Sequence, residues 1–274
     1  MPELPDLEAI KGILQPRLAD AGIEGVEIMQ PLVIRQPSVN EFISALTGNV
    51  FRKVDRRGKF LLFTLESEHI LAINLMLSGR LQYCTPGERR KARTCFIFNL
   101  EGERQLRYFD RKLMGKVYLV EKGNLSLIPR WGEMGPEPLD EEVPLDVFHK
   151  RLKRHSGQIK NILLNDTFLA GIGNAYADEI LFAAGIYPYR LRTSLSIEEI
   201  KSLYQAMHSV LKEATGKVAE QMGEDVSVEA RDFLKVHGKG GGRCPQCGGV
   251  ISEIQANRRL TNFCRSCQKS MGSR

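Results

Sequence analysis

Four cysteines near the C-terminus constrain the fold of this chain more than any other feature. They form two CxxC pairs, Cys244 with Cys247 and Cys264 with Cys267, and sixteen residues separate the pairs. Each pair can direct two thiolates at one ion, and the alternating apolar residues between the pairs can form a hairpin that brings them together. The pattern therefore predicts a zinc ribbon.

A metal ion held by four thiolates has no open coordination position, so we expect this zinc to be structural. A disulfide pair or four unrelated thiols are the alternatives. The N-terminal residues do not resemble a secretory signal, and cytosolic thiols stay reduced, which favours the metal. Cys84 and Cys95 lie far upstream in strand-like segments and are expected to be buried apolar residues rather than ligands.

The positive charge of the chain is concentrated at the ribbon. The net charge is +6 over 274 residues, yet residues 235–274 contain eight Lys or Arg against one acid, so the remainder sums to about −1. Arg258 and Arg259 are expected at the tip of the hairpin. A basic ribbon on a near-neutral body indicates contact with a polyanion, since each neutralised phosphate releases counterions. Basic runs at 52–59 and 150–155 are more simply explained as solvated surfaces.

The chain is long enough for two domains, and no apolar stretch approaches the roughly 20 residues needed to cross a bilayer. Apolar spacing predicts an N-terminal helix over 5–20 and short antiparallel strands over 23–128. Helical periodicity then dominates 145–154, 156–165, 174–185 and 196–214. The predicted domains are an antiparallel β domain, a sandwich or a barrel, at 1–131, a linker at 132–146, a helical domain at 147–237 and the zinc ribbon at 238–274.

A short turn before one predicted helix has the composition of a phosphate-binding site. Gly171 and Gly173 precede Asn174, which could cap a helix that continues to Ala184. Backbone N–H groups at such a helix start bind phosphate, and glycine lets the phosphate approach the backbone closely. An ordinary helix corner with a glycine C-cap is the alternative, so this motif alone does not decide between them.

The first residues carry a possible nucleophile. Initiator methionine is generally removed when proline follows it, and loss of Met1 would leave Pro2 with a secondary amine. At pH 7 an α-amine is neutral far more often than a lysine, whose pKa is about 10.4. The amine could attack an electrophilic sugar carbon to form an iminium ion, with Glu3 moving protons. A terminal proline that frays into solvent is the alternative.

Three separated features together resemble one known family. The opening Met1-Pro2-Glu3-Leu4-Pro5, the glycine turn before Asn174 and the C-terminal ribbon resemble the formamidopyrimidine-DNA glycosylase/endonuclease VIII family of bifunctional base-excision repair enzymes. The resemblance covers nearly the whole chain. It implies an α+β multidomain fold: an N-terminal helix plus antiparallel β-sandwich, and a C-terminal helix-two-turn-helix domain with a zinc-ribbon hairpin.

The same resemblance implies one structural Zn²⁺, double-stranded damaged DNA as the partner, no membrane, a monomer, and a bacterial cytoplasmic location associated with the nucleoid. Pro2 would attack C1′ of a flipped nucleotide, Glu3 would act as general acid and base, and β,δ-elimination would cut the strand on both sides. Lys59 would act beside the phosphate of the damaged nucleotide. Asn174 and Arg259 would bind that phosphate from the helical turn and the ribbon.

Several DNA-binding positions depart from the family pattern. The family fills the void left by the flipped nucleotide with Met, Arg and Phe, and the matching residues here are Leu77, Lys112 and Met114. Lys112 lacks the bidentate fork of arginine, so selectivity for the opposite base is expected to relax. Asp6 stands where the family usually has Glu, and Asn74 stands where it has His.

The opening Glu-Leu-Pro favours the formamidopyrimidine branch, and with it oxidised or ring-opened purines as substrates. The segment between Gly223 and Val236 is, however, shorter than the loop that covers flipped 8-oxoguanine in typical members of that branch. An endonuclease VIII-like preference for oxidised pyrimidines is therefore an alternative. A non-catalytic damaged-DNA-binding protein is another, because the departures fall on positions that read the lesion.

Overall fold

The computed structural model describes residues 1–256 and 259–269, so the predicted role of Arg258 lies outside the described residues. The chain divides into two compact units. The first contains Met1–Gly132 and Val218–Ala230, and the second contains Glu133–Lys217 and the chain from Arg231 onward. The segment 218–230 thus groups with the N-terminal unit. The domain bounds expected from the sequence stay a prediction.

The first unit opens with helix α1, Leu4–Leu18. Pro5 lies in the first turn, where a missing N–H costs no hydrogen bond. Leu7, Ile10 and Leu14 are fully buried at helical spacing. The helix ends two residues earlier than predicted, and Asp20 then adopts a left-handed conformation with φ of 64°.

Nine strands follow α1 in the first unit. They are β1 Ile23–Ile28, β2 Ile34–Gln36, β3 Phe51–Arg57, β4 Phe60–Leu65, β5 His69–Asn74, β6 Gly79–Cys84, β7 Thr94–Leu100, β8 Arg104–Asp110 and β9 Lys116–Glu121. One sheet has the order β1-β7-β8-β6, and the other has the order β2-β9-β5-β4-β3. Every pairing is antiparallel except that of β2 with β9, so the predicted antiparallel sandwich is confirmed with one parallel pair.

Aromatic side chains join the two sheets in the sandwich core. Phe51 and Phe63 come from one sheet and Phe96 and Phe98 from the other, and all four are fully buried. The ring centroids of Phe51 and Phe98 lie 6.1 Å apart across the interface. Such pairs add about 0.5–1.5 kcal/mol each to the burial of their apolar area, so the sandwich is a rigid support for the loops at its edge.

A helix that the strand-like pattern did not predict, α2, spans Val39–Leu46 between β2 and β3. Ser38 and Glu41 form a capping box at its start, and the spacing S-x-x-E is the sequence signal that could have located it. Phe42 on this helix is buried against Phe96, with ring centroids 6.2 Å apart.

The second unit is mainly helical and ends in a hairpin. Helix α4 begins only after Gly157, whose φ of 97° favours glycine. The last helix continues past the predicted end at 214. The elements that begin in it are α3 Leu145–Lys153, α4 Ile159–Leu163, α5 Asn174–Ala183, α6 Ile197–Met222, β10 Ile251–Ala256 and β11 Arg259–Cys264, and α6 continues into the first unit after Lys217. Among the described helices, none is long and apolar enough to span a membrane.

Candidate active site

The predicted nucleophile and proton carrier are buried at the start of α1. Pro2 lies in the interior, and Glu3 is the N-cap with an exposed fraction of 3%. The backbone N–H of Glu3 donates to Asp6 Oδ2 at 2.7 Å. The shorter carboxylate of Asp6 therefore reaches the residue it must orient, and its charge favours the helix N-terminus. Asp6 is itself buried, with an exposed fraction of 4%.

Lys59 lies in the two-residue turn between β3 and β4, where Gly58 has a φ of 54°. An ion pair ties this turn to α1: Arg56 Nε donates to Glu8 Oε1 at 2.7 Å, and Arg56 Nη1 donates to the carbonyl of Gly58 at 2.9 Å. Arg56 is almost fully buried. The pair therefore positions the Lys59 turn relative to the helix that starts at Glu3.

The Glu8–Arg56 pair predicts an acid-sensitive step in stability. Burial raises the pKa of Glu8, but Arg56 and Lys11 together outweigh burial, and the pKa lies below its usual 4.5. A group with a depressed folded-state pKa stabilises the protein above its unfolded pKa, and the contribution disappears as pH falls through the folded value. The urea midpoint of unfolding would be measured at pH 7 and at pH values below 4.5. We expect the decrease in the midpoint between these conditions to be smaller for Glu8→Gln than for the unsubstituted chain.

The exposed Glu24 on β1 provides the control. Glu24→Gln should keep the acid sensitivity of the unsubstituted chain. Equal acid sensitivity in all three proteins would show that the Glu8–Arg56 pair does not contribute.

Two loops present the predicted void-filling residues, and one buried carboxylate joins them. The hydroxyl of Ser78 donates to Asp110 Oδ1. Backbone N–H groups of Lys112 and Gly115 donate to Asp110 at 3.1 and 2.7 Å. Burial raises the pKa of Asp110, but these hydrogen bonds lower it below its usual value, so the carboxylate stays ionised as an acceptor.

The predicted void-filling residues are exposed, although the network beneath them is buried. Leu77 and Met114 have exposed fractions of 44% and 38%, and Lys112 is exposed as well. Asn74, which stands at the family's His position, accepts a hydrogen bond from the Met76 N–H at 3.0 Å and so holds the first loop. The structure therefore brings Leu77 close to Lys112 and Met114 through the Ser78–Asp110 bond.

The second unit brings Asn174 close to Arg259. Asn174 is the first residue of α5 and Gly173 is its N-cap, so the expectation that Asn174 caps the helix was wrong. Because glycine occupies the cap, the Asn174 side chain reaches the hairpin, where Nδ2 donates to the carbonyl of Leu260 at 2.7 Å. Leu260 directly follows Arg259, whose side chain is exposed at the start of β11.

Buried polar residues that the sequence reasoning missed hold this hairpin against α5. Lys160 Nζ lies 2.6 Å from Asp178 Oδ1 and donates to Thr261 Oγ1 at 2.8 Å. Asp178 Oδ2 accepts from the Asn262 N–H at 3.1 Å and lies 2.8 Å from His237 Nδ1. Breaking a buried ion pair by removing one partner costs about 3–5 kcal/mol, so this network fixes the strand that carries Arg259.

The neighbouring acid, Glu179, holds the chain that leads into the ribbon. Its carboxylate accepts hydrogen bonds from the backbone N–H groups of Lys235, Val236 and His237 at 2.8–2.9 Å. Two adjacent acids on the otherwise apolar helix α5 were the signal in the sequence, because acids are almost never fully buried unless they are paired.

The four predicted metal ligands converge at one end of the hairpin. Their Sγ atoms all lie within 4.8 Å of one another. Cys244 and Cys267 are separated by 3.8 Å, and Cys247 and Cys264 by 3.5 Å. A tetrahedron with Zn–S bonds of about 2.3 Å has edges of about 3.8 Å. The thiolates therefore fit one structural zinc ion, as predicted, and they leave no position for a substrate.

The chain begins with a buried Pro-Glu sequence and a β-sandwich, and a helix-two-turn-helix unit and a four-thiolate hairpin follow. This is the architecture of the DNA glycosylases that also act as AP lyases in base excision repair. Domain matches identify the family. Residues 1–117 match the formamidopyrimidine-DNA glycosylase N-terminal domain, residues 134–224 its H2TH domain, and residues 241–269 the zinc finger found in FPG and IleRS. The chain belongs to the formamidopyrimidine-DNA glycosylase family.

Individual relatives agree over the full length. The formamidopyrimidine-DNA glycosylase of Pelotomaculum thermopropionicum is 38% identical over 274 residues, which is 98% of this chain and 99% of the relative. Two solved complexes of Lactococcus lactis Fpg, with abasic-site DNA and with Fapy-dG DNA, each superpose with a TM-score of 0.90 at 27% identity and cover 98% of this chain and all of theirs. The resemblance, the fold and the zinc site expected from the sequence are confirmed.

Proposed function

We propose that this DNA glycosylase and AP lyase excises oxidised or ring-opened purines from double-stranded DNA, with Pro2 as nucleophile after removal of Met1. The position of Pro2 carries the proposal: it is buried at the start of α1 and directly precedes the buried Glu3. A terminal amine in the protein interior is fixed in place, whereas a frayed terminus could not hold a reactive geometry. The Fapy-dG complex of the Lactococcus lactis relative supports the purine substrate class.

The Pro2 nitrogen attacks C1′ of the flipped nucleotide, the bond from C1′ to the base breaks, and the base leaves with a proton. The C1′–O4′ bond then breaks, O4′ takes up a proton, and the nitrogen lone pair forms the C1′ iminium ion of the opened sugar. The iminium acidifies the C2′ proton, whose removal expels the 3′ phosphate, and a second elimination, which removes the C4′ proton, expels the 5′ phosphate. Water then hydrolyses the iminium and restores the amine. Glu3 moves the protons, because its carboxylate adjoins the nucleophile and its backbone is fixed by Asp6.

Cationic and amide groups would bind the phosphates during these steps. Lys59 would lie beside the phosphate of the damaged nucleotide, and Asn174 with Arg259 would bind the same phosphate. The hydrogen bond from Asn174 to the Leu260 carbonyl supports the pairing of these last two residues. Leu77, Lys112 and Met114 would fill the space that the flipped nucleotide leaves and would face the orphaned base.

One observation favours a second candidate function. The segment after Gly223 is short and groups with the N-terminal unit as part of Val218–Ala230, so it offers little chain to cover a large flipped purine. An endonuclease VIII-like preference for oxidised pyrimidines would follow. We further propose that the protein acts as a monomer in the bacterial cytoplasm, in association with the nucleoid.

Borohydride trapping tests the proposal. Protein that begins at Pro2 is mixed with duplexes carrying 8-oxoguanine opposite cytosine, an oxidised pyrimidine, or an abasic site. Adducts on the 8-oxoguanine and abasic duplexes support the purine function. An adduct on the pyrimidine duplex without one on 8-oxoguanine supports the second candidate. No adduct on any duplex would count against Pro2 chemistry and favour a non-catalytic damaged-DNA-binding protein.

A further inference from the structure

The outer face of the sheet β2-β9-β5-β4-β3 is apolar, although it points away from the sandwich core. Along β4, Leu61, Phe63 and Leu65 are buried in the core. The alternate residues Phe60 and Leu62 lie on the other face and are half-buried. An antiparallel sheet with one face on the core usually presents polar residues on its other face. Another part of the chain must therefore cover this one.

The segment that follows β9 provides the cover. Leu125, Ile128 and Trp131 pack in one apolar cluster with Tyr118 and Val120 of β9. The Ile128 N–H donates to the carbonyl of Leu125, and the Trp131 N–H donates to the carbonyl of Ile128, each at 3.0 Å. Bonds from residue i+3 to residue i place side chains three positions apart on the same side of the chain. The three side chains therefore face the sheet together.

The last residue of this cover, Trp131, contacts the strand end next to Lys59. The rings of Trp131 and Phe60 meet edge to face, with centroids 5.7 Å apart and planes at 66°. Phe60 directly follows Lys59 and pairs with Arg57, which closes the two-residue turn. The Phe60 ring also lies 6.4 Å from the ring of Tyr118. Phe60 is thus held by β9 and by the covering segment.

The turn that carries Lys59 therefore has a second support besides the ion pair with α1. The first is Arg56, which pairs with Glu8 and donates to the carbonyl of Gly58. The second is the ring contact of the residue after Lys59. A lysine ammonium ends a flexible four-carbon stem, so its approach to a fixed phosphate depends on a backbone that does not move. Both ends of this short turn are fixed in that way.

We propose that Trp131 is a positioning residue for Lys59, an inference that rests on the role proposed above for Lys59 beside the phosphate of the damaged nucleotide. Without the indole ring, Phe60 loses the partner that holds it on the sheet, and the turn can shift. The Lys59 ammonium then loses its fixed approach to the phosphate. A displacement of about 1 Å in a positioned group can lower a rate by about 100-fold. Trp131 thus acts on the reaction through Lys59.

A double-mutant cycle of Trp131→Ala and Lys59→Met tests this inference in protein that begins at Pro2. The rate constant for cleavage of an abasic-site duplex is measured in single turnover at saturating protein. Leu125→Ala is the matched control, because Leu125 belongs to the same apolar cluster but lies six residues before Trp131. Phe60→Leu removes the other ring of the contact and replaces Trp131→Ala if that variant does not fold. Thermal unfolding of every variant shows which of them are folded.

We expect Trp131→Ala to lower the rate constant by about 10-fold in the unsubstituted chain and by less than about twofold in Lys59→Met, because the two losses share one cause. Trp131→Phe, which keeps a ring beside Phe60, should restore most of the rate. Leu125→Ala should lower the unfolding temperature and keep the rate within about twofold.

Three results would overturn the role of Trp131: equal losses in both backgrounds, no loss for Trp131→Ala, or an equal loss for Leu125→Ala. The first and third would mean that Trp131 only stabilises the sheet. A Lys59→Met protein that cleaves at the unsubstituted rate would instead refute the role proposed for Lys59, and this inference with it. Absence of cleavage by the unsubstituted protein would refute the proposed function as a whole.

Discussion

A variant with one lysine inserted between Met1 and Pro2 should form no borohydride-stable adduct and should leave both lesion-bearing and abasic duplexes intact. Lysine after Met1 prevents removal of the methionine, so the Pro2 nitrogen stays in an amide bond. An amide nitrogen has given up its lone pair to resonance and cannot attack C1′. The loss should therefore be complete within detection, which we take as at least about 10⁴-fold. Gel analysis of trapped complexes and of cleaved strands would measure it.

The matched control is one protein assayed before and after proteolysis. A removable N-terminal extension, cut so that Pro2 becomes the first residue, should give an inactive precursor and an active product with the same zinc content. Cleavage of abasic DNA by the uncut precursor would show that the nucleophile is elsewhere in the chain. This comparison also separates the chemistry from folding, because proteolysis changes no side chain.

Loss of one zinc ligand should have the second largest effect. Cys264→Ser removes a fully buried thiolate from the four-sulfur cluster, and a structural zinc contributes about 10–16 kcal/mol to the folding of small zinc domains. We expect the bound zinc to fall from one ion per chain to none. The hairpin that carries Arg259 would then lose its order, and binding to an abasic-site duplex should weaken by more than about 100-fold.

Cys95→Ser is the control for this substitution. Cys95 is equally buried but lies on β7, and its thiol donates to the carbonyl of Arg93 at 3.4 Å, a contact that a serine hydroxyl can keep. This variant should retain one zinc and its DNA affinity. A chromogenic chelator would measure the bound zinc per chain, and fluorescence anisotropy would measure the affinity for the abasic-site duplex. Tight DNA binding by zinc-free Cys264→Ser would exclude a structural role for the metal.

Local sequence signals predicted the parts of the fold whose determinants are close together in the chain. The CxxC pairs predicted the ribbon because four ligands of one ion leave little choice of geometry. The apolar spacing placed α1 within two residues at either end. The helical periodicity was expected to end at 214, yet α6 continues through Gly216 to Met222. Burial of Val218 and Met222 compensates for the cost of about 1 kcal/mol of a glycine in a helix.

Contacts between distant residues could not be predicted in this way. Lys160, Asp178 and Asn262 form one buried network although about 100 residues separate the first from the last. Nothing in the neighbourhood of any one of them identifies its partner. The same holds for Arg80 and Glu229, whose pairing depends on segment 218–230 returning to the first unit.

The return of segment 218–230 to the first unit also limits how the genes of such proteins can be recombined. The first unit is not a contiguous piece of the chain, because Val218–Ala230 belongs to it along with Met1–Gly132. A genetic crossover in the linker after Gly132 would join the sandwich of one parent to the later segment of the other. Arg80 and Glu229 would then be inherited from different ancestors, so the two must change together if a hybrid is to keep this ion pair.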